Sequence, residues 1–134
     1  MSSATDVVVM PHRDRPVPVQ AVLALYRIQD WWPERTDQQV SSVLADGPAV
    51  GAWRDDELVG FARAVTDGVL RAYVEDVVVS PRLRGTGTGR ALVECLLGQL
   101  EGIPTVTLFC SGGLVAFYER LGFTPTRQVV LHRS

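Results

Sequence analysis

A short stretch past the middle of the chain has the residue types and spacing to hold an anion. Glycines alternate with threonines in Gly85-Thr86-Gly87-Thr88-Gly89, and Arg82, Arg84 and Arg90 flank them. Glycine lacks a Cβ, so the backbone amides of such a turn can close on a ligand. A helix starting just behind it adds partial positive charge. The apolar run Val77-Val78-Val79 before Pro81 reads as the strand leading into the turn. Strand, glycine turn and helix start together predict a phosphate or pyrophosphate ligand.

Spacing narrows the kind of phosphate. A nucleoside-triphosphate loop requires Gly-x4-Gly-Lys-Ser/Thr, and this chain has no lysine, all 13 of its basic residues being arginine. A dinucleotide fingerprint requires Gly-x-Gly-x-x-Gly after a first strand, whereas Gly85-x-Gly87-x-Gly89 lies late in the chain. The pattern that fits is Arg/Gln-x-x-Gly-x-Gly/Ala, met by Arg84, Gly87 and Gly89. With this loop the sequence resembles the GNAT superfamily, the acetyl-coenzyme-A-dependent N-acetyltransferases. Glu75-Asp76-Val77-Val78-Val79-Ser80-Pro81 looks like that family's fourth strand, and Leu58-Val59-Gly60-Phe61-Ala62 like its third. Ala116-Phe117-Tyr118-Glu119-Arg120-Leu121-Gly122-Phe123 looks like its late helix.

The resemblance implies a single GNAT domain over residues 1–134, of α+β class. Its sheet is expected to be mixed, with about six to seven strands and about four flanking helices. The implied reaction moves an acetyl group from acetyl-CoA to a primary amine, expected to be that of a small molecule. Direct attack in a ternary complex is expected, since no activated nucleophile is evident. The alternative is a non-catalytic acyl-CoA-binding sensor or interaction module on the same fold.

Roles follow by the same resemblance. The backbone of Val77, Val78 and Val79 would pair with the pantetheine arm as an added strand. Arg84, Gly85, Thr86, Gly87, Thr88, Gly89 and Arg90 would hold the phosphates. Tyr118 would sit beside the thioester sulfur. A phenol of pKa about 10 can protonate a thiolate whose thiol titrates at about 8.5. An alkylamine of pKa about 10.4 arrives charged, and a nearby carboxylate could take its proton directly or through ordered water, although many members of the family work without a dedicated base. Glu75 is the first candidate and Asp76 the second. Strand alternation puts Tyr73, Glu75 and Val77 on one face and Val74, Asp76 and Val78 on the other, so one carboxylate faces the cleft, unless a bulge exchanges them.

Trp31 and Trp32 are candidates for an aromatic wall around the amine, with Tyr73, Arg63 and Arg71 available to read an acidic group on it. Thr88 stands where the family usually has a branched apolar residue, and is expected to cap the following helix. Ser111-Gly112-Gly113 replaces a turn where many members carry a cofactor-bonding asparagine. The tail after Phe123 is short, so the last hairpin is expected to be truncated or completed by a second subunit, as in a homodimer.

Composition sets the outer limits. A chain of 134 residues with 46% hydrophobic and 21% charged residues is long enough for one globular core. A net charge of −2 and a pI near 5.6 argue against nucleic-acid and membrane-surface partners, which need a basic excess. No apolar run approaches the ~20 residues of a membrane span. The N-terminus lacks the pattern of a secretion signal. Cys95 reads as a buried small hydrophobe and Cys110 as the end of a strand near the site, neither with metal-ligand spacing. A cytoplasmic protein without a metal is expected.

The elements that must position these groups can be read from periodicity. A short strand is expected at 6–10, a helix at 17–29, and a second helix capped by Thr36 and stopped at Gly47-Pro48. Ala49 to Arg54 and Glu57 to Val65 read as strands joined by a tight Asp55-Asp56 turn. A long strand over Leu70 to Val79 leads to the loop and a helix over 88–101. Thr105 to Cys110 is expected as a strand, Leu114 to Leu121 as a helix ended by Gly122, and Val129 to His132 as a last strand.

Overall fold

The computed structural model describes residues 6–133. Its five strands form one sheet in chain order: β1 (Val8–Pro11), β2 (Ala49–Arg54), β3 (Glu57–Thr66), β4 (Arg71–Val79) and β5 (Thr105–Leu108). The first four pair antiparallel, and β5 joins β4 in parallel. Helices α1 (Val19–Ile28) and α2 (Asp37–Asp46) lie between β1 and β2, α3 (Thr88–Gln99) crosses from β4 to β5, and α4 (Val115–Glu119) follows β5. The mixed sheet with four helices is the expected α+β architecture with a lower strand count. The strand expected at Val129 to His132 does not form; residues 124–133 carry neither helix nor strand. A strand exists only where a neighbour's backbone bonds it, and no strand of the sheet pairs with this apolar segment.

Local chemistry explains the boundaries. Thr36 caps α2 through a reciprocal box, its hydroxyl accepting from the Gln39 amide while the Gln39 side chain accepts from the Thr36 amide. Asp55 takes a left-handed φ of 54° in the two-residue turn between β2 and β3. The sheet separates two cores. Tyr26 and Leu23 of α1, and Val40 and Leu44 of α2, pack with Trp53 and Phe61 on one face. Leu92, Leu96 and Leu100 pack with Val50, Val59, Ala62 and Val74 on the other.

One irregularity in β4 decides how the site is built. Phe61 pairs with Val78 but Arg63 pairs with Glu75, so β4 carries one residue more than β3 across this interval. The extra residue bends through Asp76, whose φ is 58°. Before the bulge, Ala72 and Val74 belong to the α3 core; beyond it, Val77 and Val79 pack there, and Val78 joins the α1–α2 core. The bulge therefore inverts the alternation. Of the expected split, Asp76 and Val78 do share a face, that of α1, but Val74 and Val77 lie on the other face and Glu75 parts from Val77. Glu75 and Asp76 both turn toward α1, where one side chain, Arg63, bonds them both.

Candidate active site

The donor side begins where β5 leaves β4. Their pairing ends at Val74 with Leu108, while β4 continues to Val79. The β4 edge from Glu75 to Val79 is therefore open on that side, including the backbone of Val77, Val78 and Val79. A 3-10 turn at Pro81–Leu83 then delivers the glycine loop. Gly85 and Gly87 have φ of 76° and 87°, a region that L side chains rarely adopt. Gly87 is the N-cap of α3, so the amides of Thr88, Gly89 and Arg90 form its first turn and have no intrahelical acceptor. Thr88 is not the cap that was expected. It is buried in the first turn, its hydroxyl bonded to that of Thr86, which itself bonds the Leu83 carbonyl. Both threonines shape the loop by their side chains; the Thr86 amide also donates to the Leu83 carbonyl, whereas the Thr88 amide lies in the open first turn of α3.

The three arginines of the loop are not equivalent. Arg82 is paired with Glu57 and Arg90 with Glu94. Arg84 forms no salt bridge among the described residues, and its guanidinium is the one uncommitted charge beside the glycines.

Tyr118 is held by the end of its own helix. The Phe123 amide donates to the Tyr118 carbonyl and the Gly122 amide to the Glu119 carbonyl, a Schellman closure with Gly122 at a φ of 94°. The hydrophobic contact of that motif is Tyr118 against Phe123, edge to face at 5.9 Å. Phe117 stacks on Tyr118 at 4.9 Å and reaches toward Gly89. Phe117 thereby links the Tyr118 ring to the first turn of α3. Burial pushes the phenol above its ordinary value, and the neighbouring Cys110 thiol adds to the shift.

On the opposite side of the β4 edge, the two carboxylates enter a charged cage. Asp76 Oδ2 accepts from Tyr26 OH at 2.9 Å, Arg35 NH1 at 2.7 Å and Arg63 Nε at 2.8 Å. Glu75 Oε2 accepts from Arg63 NH2 at 2.7 Å, and its other oxygen lies 3.8 Å from Arg35. The Asp76 side chain is 2% exposed and that of Glu75 23%. Glu75 is thus the carboxylate that solvent reaches. Burial, then the charge and hydrogen bond of Asp76, push the Tyr26 phenol far above the usual tyrosine range. Tyr26 and Arg35 were not singled out as site residues in the sequence. Tyr26 read as part of the apolar side of α1, and Arg35 lies in a connection without periodicity.

Beside the cage opens a cleft of about 430 Å³, lined by Trp32, Glu34, Arg35, Gln39 and Arg63 with Val40 and Val43. Trp32 stands at its rim and Trp31 does not line it. Tyr73 lies on the Glu75 side of β4, stacked at 5.0 Å on Phe109. Its phenol is raised by burial and then by Glu75. Arg71, at the far end of β4, is exposed.

An open strand edge running into a glycine turn and helix start, with two carboxylates at its beginning, suits a strand-like phosphorylated ligand and a basic acceptor. Residues 12–123 match the profile of the acetyltransferase (GNAT) family. The chain belongs to that family. The family is one of acyltransferases whose acetyl donor is acetyl-CoA. It is 37% identical to serotonin N-acetyltransferase 2, chloroplastic, of Oryza sativa subsp. japonica over 101 residues, which are 69% of this chain and 50% of that protein. The chain spans about half the length of the curated relatives it matches. A GNAT-family protein from Xanthomonas campestris pv. campestris superposes with a TM-score of 0.81 at 27% identity, covering 96% of this chain and 93% of its own. AAC(6′)-Iy, in complex with the bisubstrate analogue CoA-S-monomethyl-acetylneamine, shares the fold at a TM-score of 0.72 and 20% identity, with 96% and 98% coverage. Among the described residues no helix is long and apolar enough to cross a membrane.

Proposed function

We propose that this GNAT domain acetylates the primary amine of a small molecule by direct attack in a ternary complex. The observation that supports the reading is the unpaired β4 edge beyond Val74 running into the glycine turn and first turn of α3, with the partly exposed Glu75 at its start. The first-turn amides of α3 and the Arg84 guanidinium would hold the donor's phosphates, and the backbone of Val77 and Val79 its pantetheine arm. Acetyl-CoA supplies the activated acyl carbon; the remaining work belongs to the chain. Glu75, partly exposed and next to the cleft-lining Arg35 and Arg63, takes the proton of the incoming ammonium directly or through water. The amine nitrogen then forms the new C–N bond as the C–S bond breaks; Tyr118 gives its phenolic proton to the departing sulfur and regains one through water from the nitrogen as it becomes the neutral amide, and Glu75 returns its proton to solvent. Asp76, with three donors on one oxygen, serves to hold the wall rather than to move protons. The relative with a CoA-based bisubstrate analogue, and relatives named for small amines, support a small acceptor; the partly enclosed cleft supports it over a peptide. A cytoplasmic setting, and a second subunit against the C-terminal tail, belong to the same proposal.

The test is thiol release from acetyl-CoA against a panel of amines, comparing wild type with Tyr118→Phe and Glu75→Gln. An amine-dependent rate that falls about 100-fold in Tyr118→Phe, with the KM for acetyl-CoA little changed, is the expected result. Unaltered kcat in Tyr118→Phe would remove the acid role. Tight acetyl-CoA binding without turnover on any amine would replace the enzyme reading by that of a sensor.

A further inference from the structure

The α1–α2 connection contains a cation-binding arrangement that the chain fills itself. The Arg35 guanidinium lies 4.4 Å from the Trp32 ring centre and 5.3 Å from that of Tyr26. It donates to Asp76 at 2.7 Å and stands 3.8 Å from Glu75. Two aromatic faces and two carboxylates converging on one point are the chemistry that recognises an alkylammonium or alkylguanidinium ion.

Charge and access favour exchange at this point. Arg35 and Arg63 balance Glu75 and Asp76; with Arg35 withdrawn, the group keeps one uncompensated negative charge. Asp76 would still accept from Arg63 and Tyr26, so withdrawal does not strip the buried carboxylate. The side chains of Arg35 and Glu75 are 21% and 23% exposed, and Arg35 borders the cleft. The backbone holding Arg35 in place is strained. Trp32 has a φ of 50°, an outlier for a bulky side chain, and its carbonyl accepts from the Arg35 amide.

We propose that Arg35 is an internal stand-in for the cationic end of the acceptor, and that the substrate's ammonium or guanidinium displaces it to lie against Glu75. This rests on reading the cleft as the acceptor side, but the cation site can be tested without turnover. Propylammonium, propylguanidinium and uncharged propanol are titrated into wild type, Arg35→Ala, Arg35→Gln and Arg35→Ala/Glu75→Gln, followed by calorimetry and melting temperature. Arg35→Ala and Arg35→Gln should bind both cations at least about tenfold more tightly than wild type and melt higher in their presence. Propanol should not bind, and the added Glu75→Gln should cancel the gain. Equal affinity in wild type and both single variants would overturn the proposal, as would a gain that survives Glu75→Gln. So would failure of both single variants to fold even in saturating propylguanidinium. Cation binding by Arg35→Ala with no acetylation of any amine would instead sink the acceptor assignment and leave the cation site standing.

Discussion

Replacing Asp76 separates two quantities that the β4 bulge combines: the left-handed backbone and the charged cage. Asp76→Ala removes the acceptor of three hydrogen bonds, two of them from arginines. Breaking a buried ion pair from one side costs about 3–5 kcal/mol. Arg63 keeps Glu75 at 2.7 Å and Arg35 keeps it at 3.8 Å, so the lower end, about 3 kcal/mol, applies. Alanine at a φ of 58° adds about 1–2 kcal/mol of backbone strain that glycine avoids. Asp76→Ala should therefore lose about 4–5 kcal/mol and Asp76→Gly about 3. Asp76→Asn tolerates the backbone and replaces charge-assisted bonds by neutral ones, a loss of about 2 kcal/mol. Urea unfolding followed by tryptophan fluorescence reads the order directly. With a slope of about 1.5 kcal/mol/M, the Asp76→Ala midpoint should fall by about 3 M relative to wild type. Equal midpoints for the alanine and glycine variants would refute the strained bulge, and a wild-type midpoint for Asp76→Asn would refute the charged cage.

Three further outcomes are expected. A Cβ on Gly47 would stand 2.8 Å from the Ala64 carbonyl oxygen, whereas one on Gly98 meets nothing within 4 Å. Gly47→Ala should accordingly lower stability by about 1–3 kcal/mol and Gly98→Ala raise it by about 0.5, with melting curves showing opposite signs. Cys110 is exposed, whereas Cys95 is part-buried with its thiol pushed up by burial; iodoacetamide should label Cys110 first by mass spectrometry, and saturating acetyl-CoA should slow that labelling. The Asp67 carboxylate is held below its usual range by the amides of Val69, Leu70 and Arg71. Its stabilisation is full above the unfolded value of about 3.9 and disappears as pH falls through the lower folded value. The melting-temperature gap between wild type and Asp67→Ala should close over that acid range; a gap that persists at pH 2 would contradict the assignment.

The glycine spacing, Thr36 as a helix cap, and Gly122 at a helix end were readable because each requirement is local. The nearly continuous apolar runs within Ala49 to Arg54 and Glu57 to Val65 were readable as strands because both faces of the sheet are covered there. What escaped the sequence was non-local. Nothing in Glu75-Asp76-Val77 says where a bulge falls, since an aspartate tolerates a left-handed backbone without requiring it. The parity of every residue beyond it changed as a result. Arg35 and Tyr26 are separated from Asp76 by more than half the meander and meet it only once α1 has packed on β4. The segment Val129 to His132 has strand composition, but composition cannot supply a partner edge. Thr88 looked like a cap because threonine favours that position, yet the left-handed Gly87 took it.

The antiparallel half and the parallel half of this sheet also differ in when they can exist. Hairpins join β2 to β3 and β3 to β4, whereas β5 reaches β4 only after the chain has passed through α3. Neighbour-to-neighbour closures cost little chain entropy, and long crossovers cost more. On a ribosome, the acidic wall could assemble while the phosphate-gripping turn was still emerging. The half that would receive the amine is thus the template on which the half that would grip the thioester donor is laid.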